Sequence, residues 1–226
     1  MPLALHPEPR WDLSPAEAIH LQEQLRDQVR IWPLPQEAVR QVGGVDVGFD
    51  AERAYAAVVV LDYATLQPVE RVIGTAAITF PYVPGLLSFR EIPAILNALA
   101  RLARLPDVFM VDGHGLAHPR RLGIAAHLGI LLDLPAIGCA KSILIGRHKP
   151  LAEAVGSTAE LLDGDEVIGA AVRTRIHARP LYVSIGHRVD LPSAIRLVLT
   201  CGRGYRLPEP TRLAHHFASH MKGTRL

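Results

Sequence analysis

"DVFMVDGHGLAHPRRLGIAAHLGILLDLPAIGCAK", residues 107–141, places a short apolar run, a longer one with helical spacing and a second short one in succession. The first run closes on Asp112-Gly113-His114-Gly115, residues 120–134 repeat Leu, Ile and Ala with a period near 3.6, and residues 135–141 are again brief and apolar. Strand, helix, strand in that order predicts a right-handed parallel crossover, since two parallel neighbours need a connection long enough to run back along the sheet. Upstream, "LLSFREIPAILNALARLARL" (86–105) reads as a helix. Before it lie three β-branched runs, "QVGGVDVGF" (41–49), "AYAAVVVLDY" (54–63) and "VERVIGTAAITF" (69–80), whose short joints predict an antiparallel meander. Downstream, residues 156–175 predict a hairpin turning at Asp163-Gly164, followed by a strand over 179–188 and helices over about 191–201 and 211–222.

The N-terminal part adds one helix, opened by Ser14 as N-cap, Pro15 in first position and Glu17 closing a capping box, and ended by the linker "IWPLPQ". The expectation is a single α/β domain over residues 1–226, with 1–12 a loose tail. Its sheet is mixed, three antiparallel strands then parallel strands, with helices flanking it. A chain of 226 residues, 49% hydrophobic and 20% charged, has enough apolar material for one such core. "MPLALHPEPR" lacks the continuous apolar run of a signal peptide and no stretch approaches about 18 apolar residues, so a cytoplasmic protein without a membrane partner is expected. Cys139 and Cys201 stand alone in their neighbourhoods, which argues against a disulfide framework or a paired-cysteine zinc site and for buried free thiols.

The net charge of +2 conceals an asymmetry: residues 1–166 carry 14 basic and 20 acidic side chains, and residues 167–226 carry 10 and 2. Arginines sharing one face there would make a footprint for a polyanion; arginines spread around the fold would be an ordinary solvated surface.

Three acids stand out on this frame. Asp46 lies between valines inside the first strand, where a carboxylate is costly without a partner or a metal. Asp112 ends the fourth strand, and ligands collect at the carboxyl ends of parallel strands. Glu91 opens the intervening helix. If strands one and four are neighbours, the aspartates lie side by side, and their repulsion calls for a divalent cation of the hard, oxygen-seeking kind, magnesium or manganese. Each acid also has a plainer reading: Glu91 as the partner of Ser88 in a capping box, although Pro93 follows closely; Asp112 as a turn residue before Gly113; "GVDVG" as a strand with a local bulge.

His114 and His118 fall in a Gly-rich loop without the companions of a zinc motif and read as loop polarity. In the last helix, His215 points about 200° from Leu213 at 100° per residue, off the apolar face and toward surface or a cleft. Lys141 is one of only three lysines, and "GCAKS" fails the Walker pattern; a compact ammonium suits a phosphate oxygen. In "TFPYVPG" (79–85), Pro81 and Pro84 stiffen the chain around Tyr82 and Val83, so Tyr82 either folds back onto the protein or tips a rigid protrusion.

"GGVDVGF", "PYVPGLLSFRE", "VDGHGLAHPRRLGIAAHLG", "GCAKS", "GHR" and "LPEPTRLAHH", in this order from about residue 10 to 220, resemble the endonuclease V family of inosine-directed repair nucleases. The resemblance implies a ribonuclease H-like fold with adjacent first and fourth strands. It implies Asp46, Glu91 and Asp112 as catalytic acids, Asp46 and Asp112 holding magnesium (or manganese) and Glu91 and His215 assisting through a second ion or its waters, with Lys141 near the scissile phosphate. Two-metal sites hold their ions about 3.5–4 Å apart. It further implies a DNA wedge of Pro81, Tyr82, Val83 and Pro84, and a base pocket lined or flanked by Tyr82, Gly85, Leu87, Gly113, Ile124 and Gly138. The implied reaction is hydrolysis of the second phosphodiester bond 3′ to deoxyinosine in DNA, leaving 3′-hydroxyl and 5′-phosphate ends. Inosine-containing RNA or branched DNA as the main substrate, and a non-cutting lesion-binding protein, are the alternatives; a monomer is expected. Ile185, where many relatives have proline, is the one visible departure.

Overall fold

The computed structural model of the chain describes residues 3, 5 and 9–221. The meander forms as β1 (Gln41–Phe49), β2 (Arg53–Asp62) and β3 (Pro68–Ala77). β1 and β2 pair without interruption from Gln41 opposite Asp62 to Phe49 opposite Ala54, so "GVDVG" holds no bulge on this side; the irregularity falls between Val60 and Leu61 in the β2–β3 ladder.

The crossover follows as β4 (Val108–Val111), α3 (Ile124–Leu132) and β5 (Ala136–Ala140), with β4 parallel to β1 and β5 parallel to β4. Parallel pairing stops there. β8 (Leu181–His187) runs antiparallel to β5, and β7 (Glu166–Val172) and β6 (Thr158–Asp163) continue antiparallel beyond it. The result is a mixed eight-stranded sheet ordered β3-β2-β1-β4-β5-β8-β7-β6, in which the parallel part is narrower than the sequence pattern suggested. In the β6–β7 hairpin, Asp163 is still paired with Glu166, which leaves Gly164, at φ +62°, and Asp165 as the turn.

Among the described residues, five α-helices pack on the sheet or on one another: α1 (Pro15–Arg26), α2 (Ser88–Leu99), α3, α4 (Leu191–Thr200) and α5 (Glu209–Met221). α1 carries the expected capping box, Ser14 N–H donating to Glu17 Oε2 at 2.8 Å and Glu17 N–H to Ser14 Oγ at 3.3 Å. α2 does not: Leu87 precedes it without a side-chain cap, and Ser88 Oγ bonds His127 Nδ1 at 3.1 Å instead of serving Glu91. Of the expected tail, residues 1, 2, 4 and 6–8 lie outside the described residues, whereas Leu3, Leu5 and Trp11 pack on the α2–α3 core.

β4 is buried on both faces, and the period of two sorts its side chains cleanly. Phe109 and Val111 join Ile92, Ile95, Leu99, Leu128 and Leu131 on one side; Val108 and Met110 join Val183, Leu197, Val198 and Ala214 on the other. Cys139 and Cys201 are free and buried in the second core, and burial pushes the Cys201 thiol up to about 12. Among the described residues no helix is long and apolar enough to cross a membrane.

Two close approaches set helix positions. A Cβ on Gly74 of β3 would come within 2.1 Å of Ala98 N, and one on Gly44 of β1 within 1.9 Å of Pro210 O. Gly44 therefore lets the start of α5 rest on β1 backbone. Gly44→Ala is expected to cost about 1–3 kcal/mol in urea unfolding, the range for overpacking, and to lift α5 off β1; an unchanged urea midpoint would contradict this contact.

Candidate active site

The β1–β4 register pairs Val45 with Val111, and Asp112 N–H donates to Val45 O at 2.9 Å. Asp46 and Asp112, each one residue further on, therefore emerge side by side at one end of the sheet. Lys141 follows β5 at the same end and places Nζ 2.5 Å from Asp112 Oδ2. From the other layer, α5 brings His215, whose Nδ1 lies 2.7 Å from Asp46 Oδ2. His215 is exposed while Leu213 and Phe217 pack on the core, as the helical spacing predicted.

One ligand atom each from Asp46, Asp112 and His215 lies within 4.8 Å of the others. Two carboxylates and an imidazole match a divalent ion that favours oxygen donors and tolerates nitrogen, as magnesium and manganese do. Glu91, in the first turn of α2, is buried and stands outside this three-residue group. Its carboxyl is pushed well above the usual carboxylate range, by burial first and then by Asp46 and Asp112. Asp112 is raised as well, by burial and Asp46, with Lys141 opposing. Protonation and an added cation are the two ways to relieve such crowding.

The loop of Pro81, Tyr82, Val83 and Pro84 stands beside this centre. Tyr82 is 72% exposed, which rules out a ring folded into the core. Arg90 Nη1 donates to Phe80 O at 3.0 Å, and its guanidinium lies 5.9 Å from the Tyr82 ring centroid. Between loop and acids lies a cavity of about 280 Å³, lined in part by Tyr82, Gly85, Leu87, Glu91, Asp112, Gly113 and Ile124. Gly138 does not line it; a Cβ there would meet Gly113 O at 2.8 Å and Gly115 N at 2.6 Å, so this glycine backs the wall that Gly113 forms.

His114 and His118 are not solvated loop residues. Burial lowers both to about 4, which keeps them neutral, and among the described residues neither belongs to a metal-like cluster. Among the described residues, the arginines of the basic C-terminal quarter do not all share one face. Arg188 binds Asp133 at the opposite end of the sheet from Lys141, Arg173 and Arg212 bind Glu153 and Glu209, and Arg206 holds the Lys141 and Pro180 carbonyls.

Arg206 and Gln22 carry more of the site than their sequence context suggested. Arg206 has no local motif to mark it. Gln22 does leave a trace, an amide at the middle of the inward stripe Ala18, Gln22, Leu25.

Residues 23–216 match a family model described as Endonuclease V. The endonuclease V of Gloeobacter violaceus is 54% identical over 228 residues, covering 99% of this chain and 91% of that protein. Among solved structures, the endonuclease V of Streptomyces avermitilis aligns with a TM-score of 0.90 at 42% identity, covering 94% of each chain. The endonuclease V of Ciona intestinalis, in complex with a 24mer DNA containing an inosine followed by a ribo-adenosine, aligns with a TM-score of 0.81 at 29% identity over 92% of this chain and 96% of that one.

The raised Glu91 carboxyl has a thermodynamic consequence. Below its ordinary value the group is neutral folded or unfolded; above it the unfolded chain ionises first, so the folded state loses stability until pH passes the raised value. Without divalent ions, Glu91→Gln is expected to raise the melting temperature at pH 8 by several degrees, on the order of 1 kcal/mol or more, and to change it little near pH 4. A lower melting temperature for the variant at pH 8 would show that Glu91 is held by a favourable partner.

Proposed function

Because the chain belongs to the endonuclease V family, we propose that it is a nuclease that finds deaminated adenine, the inosine lesion, in DNA and hydrolyses the second phosphodiester bond on its 3′ side. The observation that carries this reading is the grouping of Asp46, Asp112 and His215, of which Asp112 also lines a cavity flanked by the exposed Tyr82. The ends left would be a 3′-hydroxyl and a 5′-phosphate.

Asp46, Asp112 and His215 would hold magnesium or manganese, with Glu91 assisting from the buried side. When bound, such an ion lowers the pKa of water and offsets the charge that grows on the phosphate during displacement. The protein's own groups do the rest. The Asp46 carboxylate orients the His215 ring through Nδ1, and the Lys141 ammonium, at the Asp112 carboxylate, would meet a phosphate oxygen. Arg206 fixes the backbone from which Lys141 projects.

Recognition begins with extrusion of the base, least costly where pairing is weak, as it is for inosine. Tyr82, held out on a loop stiffened by Pro81 and Pro84, would fill the gap left in the stack, while Val83 packs on the cluster of Phe80, Leu86 and Phe89. The cavity between Leu87, Gly113 and Ile124 would take the base, and the glycines there leave backbone groups close enough to read its edge.

A second reading concerns the sugar. The Ciona intestinalis protein is bound to DNA whose inosine is followed by a ribo-adenosine, which favours testing a strand with ribose at that position, inosine-containing RNA included.

End-labelled matched DNA and RNA strands with one inosine, incubated with the protein and magnesium, should each show whether a single nick falls at the second bond 3′ to the lesion. Asp112→Asn is expected to reduce that nick by at least ~100-fold, the scale for losing a group that stabilises transition-state charge. Tight binding to the inosine strand without cleavage, in magnesium or manganese, would favour a lesion-binding protein.

A further inference from the structure

Three side chains from two distant parts of the chain converge on one backbone oxygen, that of Gly85, where the Pro81–Pro84 loop ends. Gln22 Nε2, from α1, lies 3.0 Å from it, His118 Nε2 3.0 Å and Arg120 Nη2 2.9 Å. The three are also tied to one another. Arg120 Nε donates to Gln22 Oε1 at 2.5 Å, and the Arg120 backbone N–H donates to His118 Nδ1 at 3.2 Å. Gln22 Nε2 has a further acceptor in Leu122 O at 3.0 Å.

The hydrogen bonds choose the tautomer. A carbonyl oxygen only accepts, so His118 carries its proton on Nε2, and Nδ1 is left to accept from Arg120. Burial, which lowers this histidine to about 4, keeps that neutral form in place. Gln22 is fully buried, and both ends of its amide are used; an amide on an apolar stripe is tolerable only on that condition. Gly85 itself sits at φ +80°, and a Cβ there would come within 2.8 Å of the Arg120 guanidinium. At the other foot of the loop Arg90 holds Phe80 O. Both feet are thus fixed by cations while the tip, Tyr82, stands in solvent.

We propose that Gln22 and Arg120, together with His118, are positioning residues for the Tyr82 loop. They hold the Gly85 foot so that the ring is ordered before nucleic acid arrives, and DNA binding then loses less loop entropy. The inference rests on the reading of Tyr82 as the wedge. None of the network's hydrogen bonds involves Asp46, Asp112 or His215, so loosening it acts on lesion engagement more than on hydrolysis.

The test compares Gln22→Met, which keeps length and loses all three amide hydrogen bonds, with Arg120→Lys, which keeps charge but has no fork to span Gln22 and Gly85. Tyr82→Ala runs alongside. Each is measured for its dissociation constant on an inosine-containing duplex, for kcat against KM in magnesium, and for the fluorescence of 2-aminopurine placed beside the inosine, which reports unstacking. Gln22→Met and Arg120→Lys are expected to weaken binding about tenfold, to raise KM more than they lower kcat, and to diminish the unstacking signal in the direction Tyr82→Ala does. If Tyr82→Ala weakens binding while both network variants match the parent in affinity and fluorescence, the positioning role is overturned. A fall in kcat alone overturns it as well. If Tyr82→Ala itself matches the parent, the wedge reading falls first. Should thermal unfolding show that Gln22→Met does not fold, Arg120→Lys, at a partly exposed position, decides.

Discussion

Two carboxylates held side by side in the wall of a buried sheet are the constraint around which the rest of the molecule is arranged. The parallel β1–β4 register makes Asp46 and Asp112 neighbours, and no rotamer change separates their backbones. Left alone, the pair would repel in a poorly solvated place; the structure answers with Lys141 on Asp112 and His215 on Asp46. Glu91 has only the smaller opposing charge of Arg90, and burial together with the two aspartates makes its proton hard to remove. Stability given up at this one end of the sheet is recovered in the two cores on its faces, where β4 alone contributes Val108, Phe109, Met110 and Val111.

Each partner of the acids depends on packing some distance away. His215 reaches Asp46 because Gly44 lets Pro210 lie on β1 backbone. Lys141 projects from a turn that Arg206 grips by its carbonyl, and Arg206 in turn is tied through its own carbonyl to Thr174 Oγ1. The loop carrying Tyr82 is held between Arg90 and the Gln22–His118–Arg120 network, which couples α1 to a segment more than sixty residues away. Small residues and half-buried cations, more than the acids themselves, determine whether the site is assembled.

Much of this was legible in the residues, for definite physical reasons. β-branched runs with short joints gave away β1 to β3, a strand-helix-strand pattern gave away the β4–β5 crossover, and a lone acid between valines marked Asp46. The helical wheel placed His215 off the core. The reversal at β8 was not legible, because a strand direction after a long hairpin excursion leaves no local signal. Nor was the burial of His114 and His118, since a Gly-rich loop reads as exposed until the chain folds over it. Ser88 beside Glu91 imitated a capping box, but tertiary packing gave its hydroxyl to His127. The basic C-terminal quarter left open a shared polyanion face or an ordinary solvated surface; among its described residues Arg173, Arg188 and Arg206 engage acids or carbonyls at both ends of the sheet.

The central claim, that Asp46, Asp112 and His215 form a divalent-cation site, is tested most directly by anomalous diffraction from crystals soaked in manganese. The account predicts a strong anomalous peak among the Asp46 and Asp112 carboxylates and the His215 ring, with Lys141 Nζ drawn away from Asp112 Oδ2. No peak there at millimolar manganese, or a peak elsewhere with the Lys141–Asp112 contact intact, would contradict it.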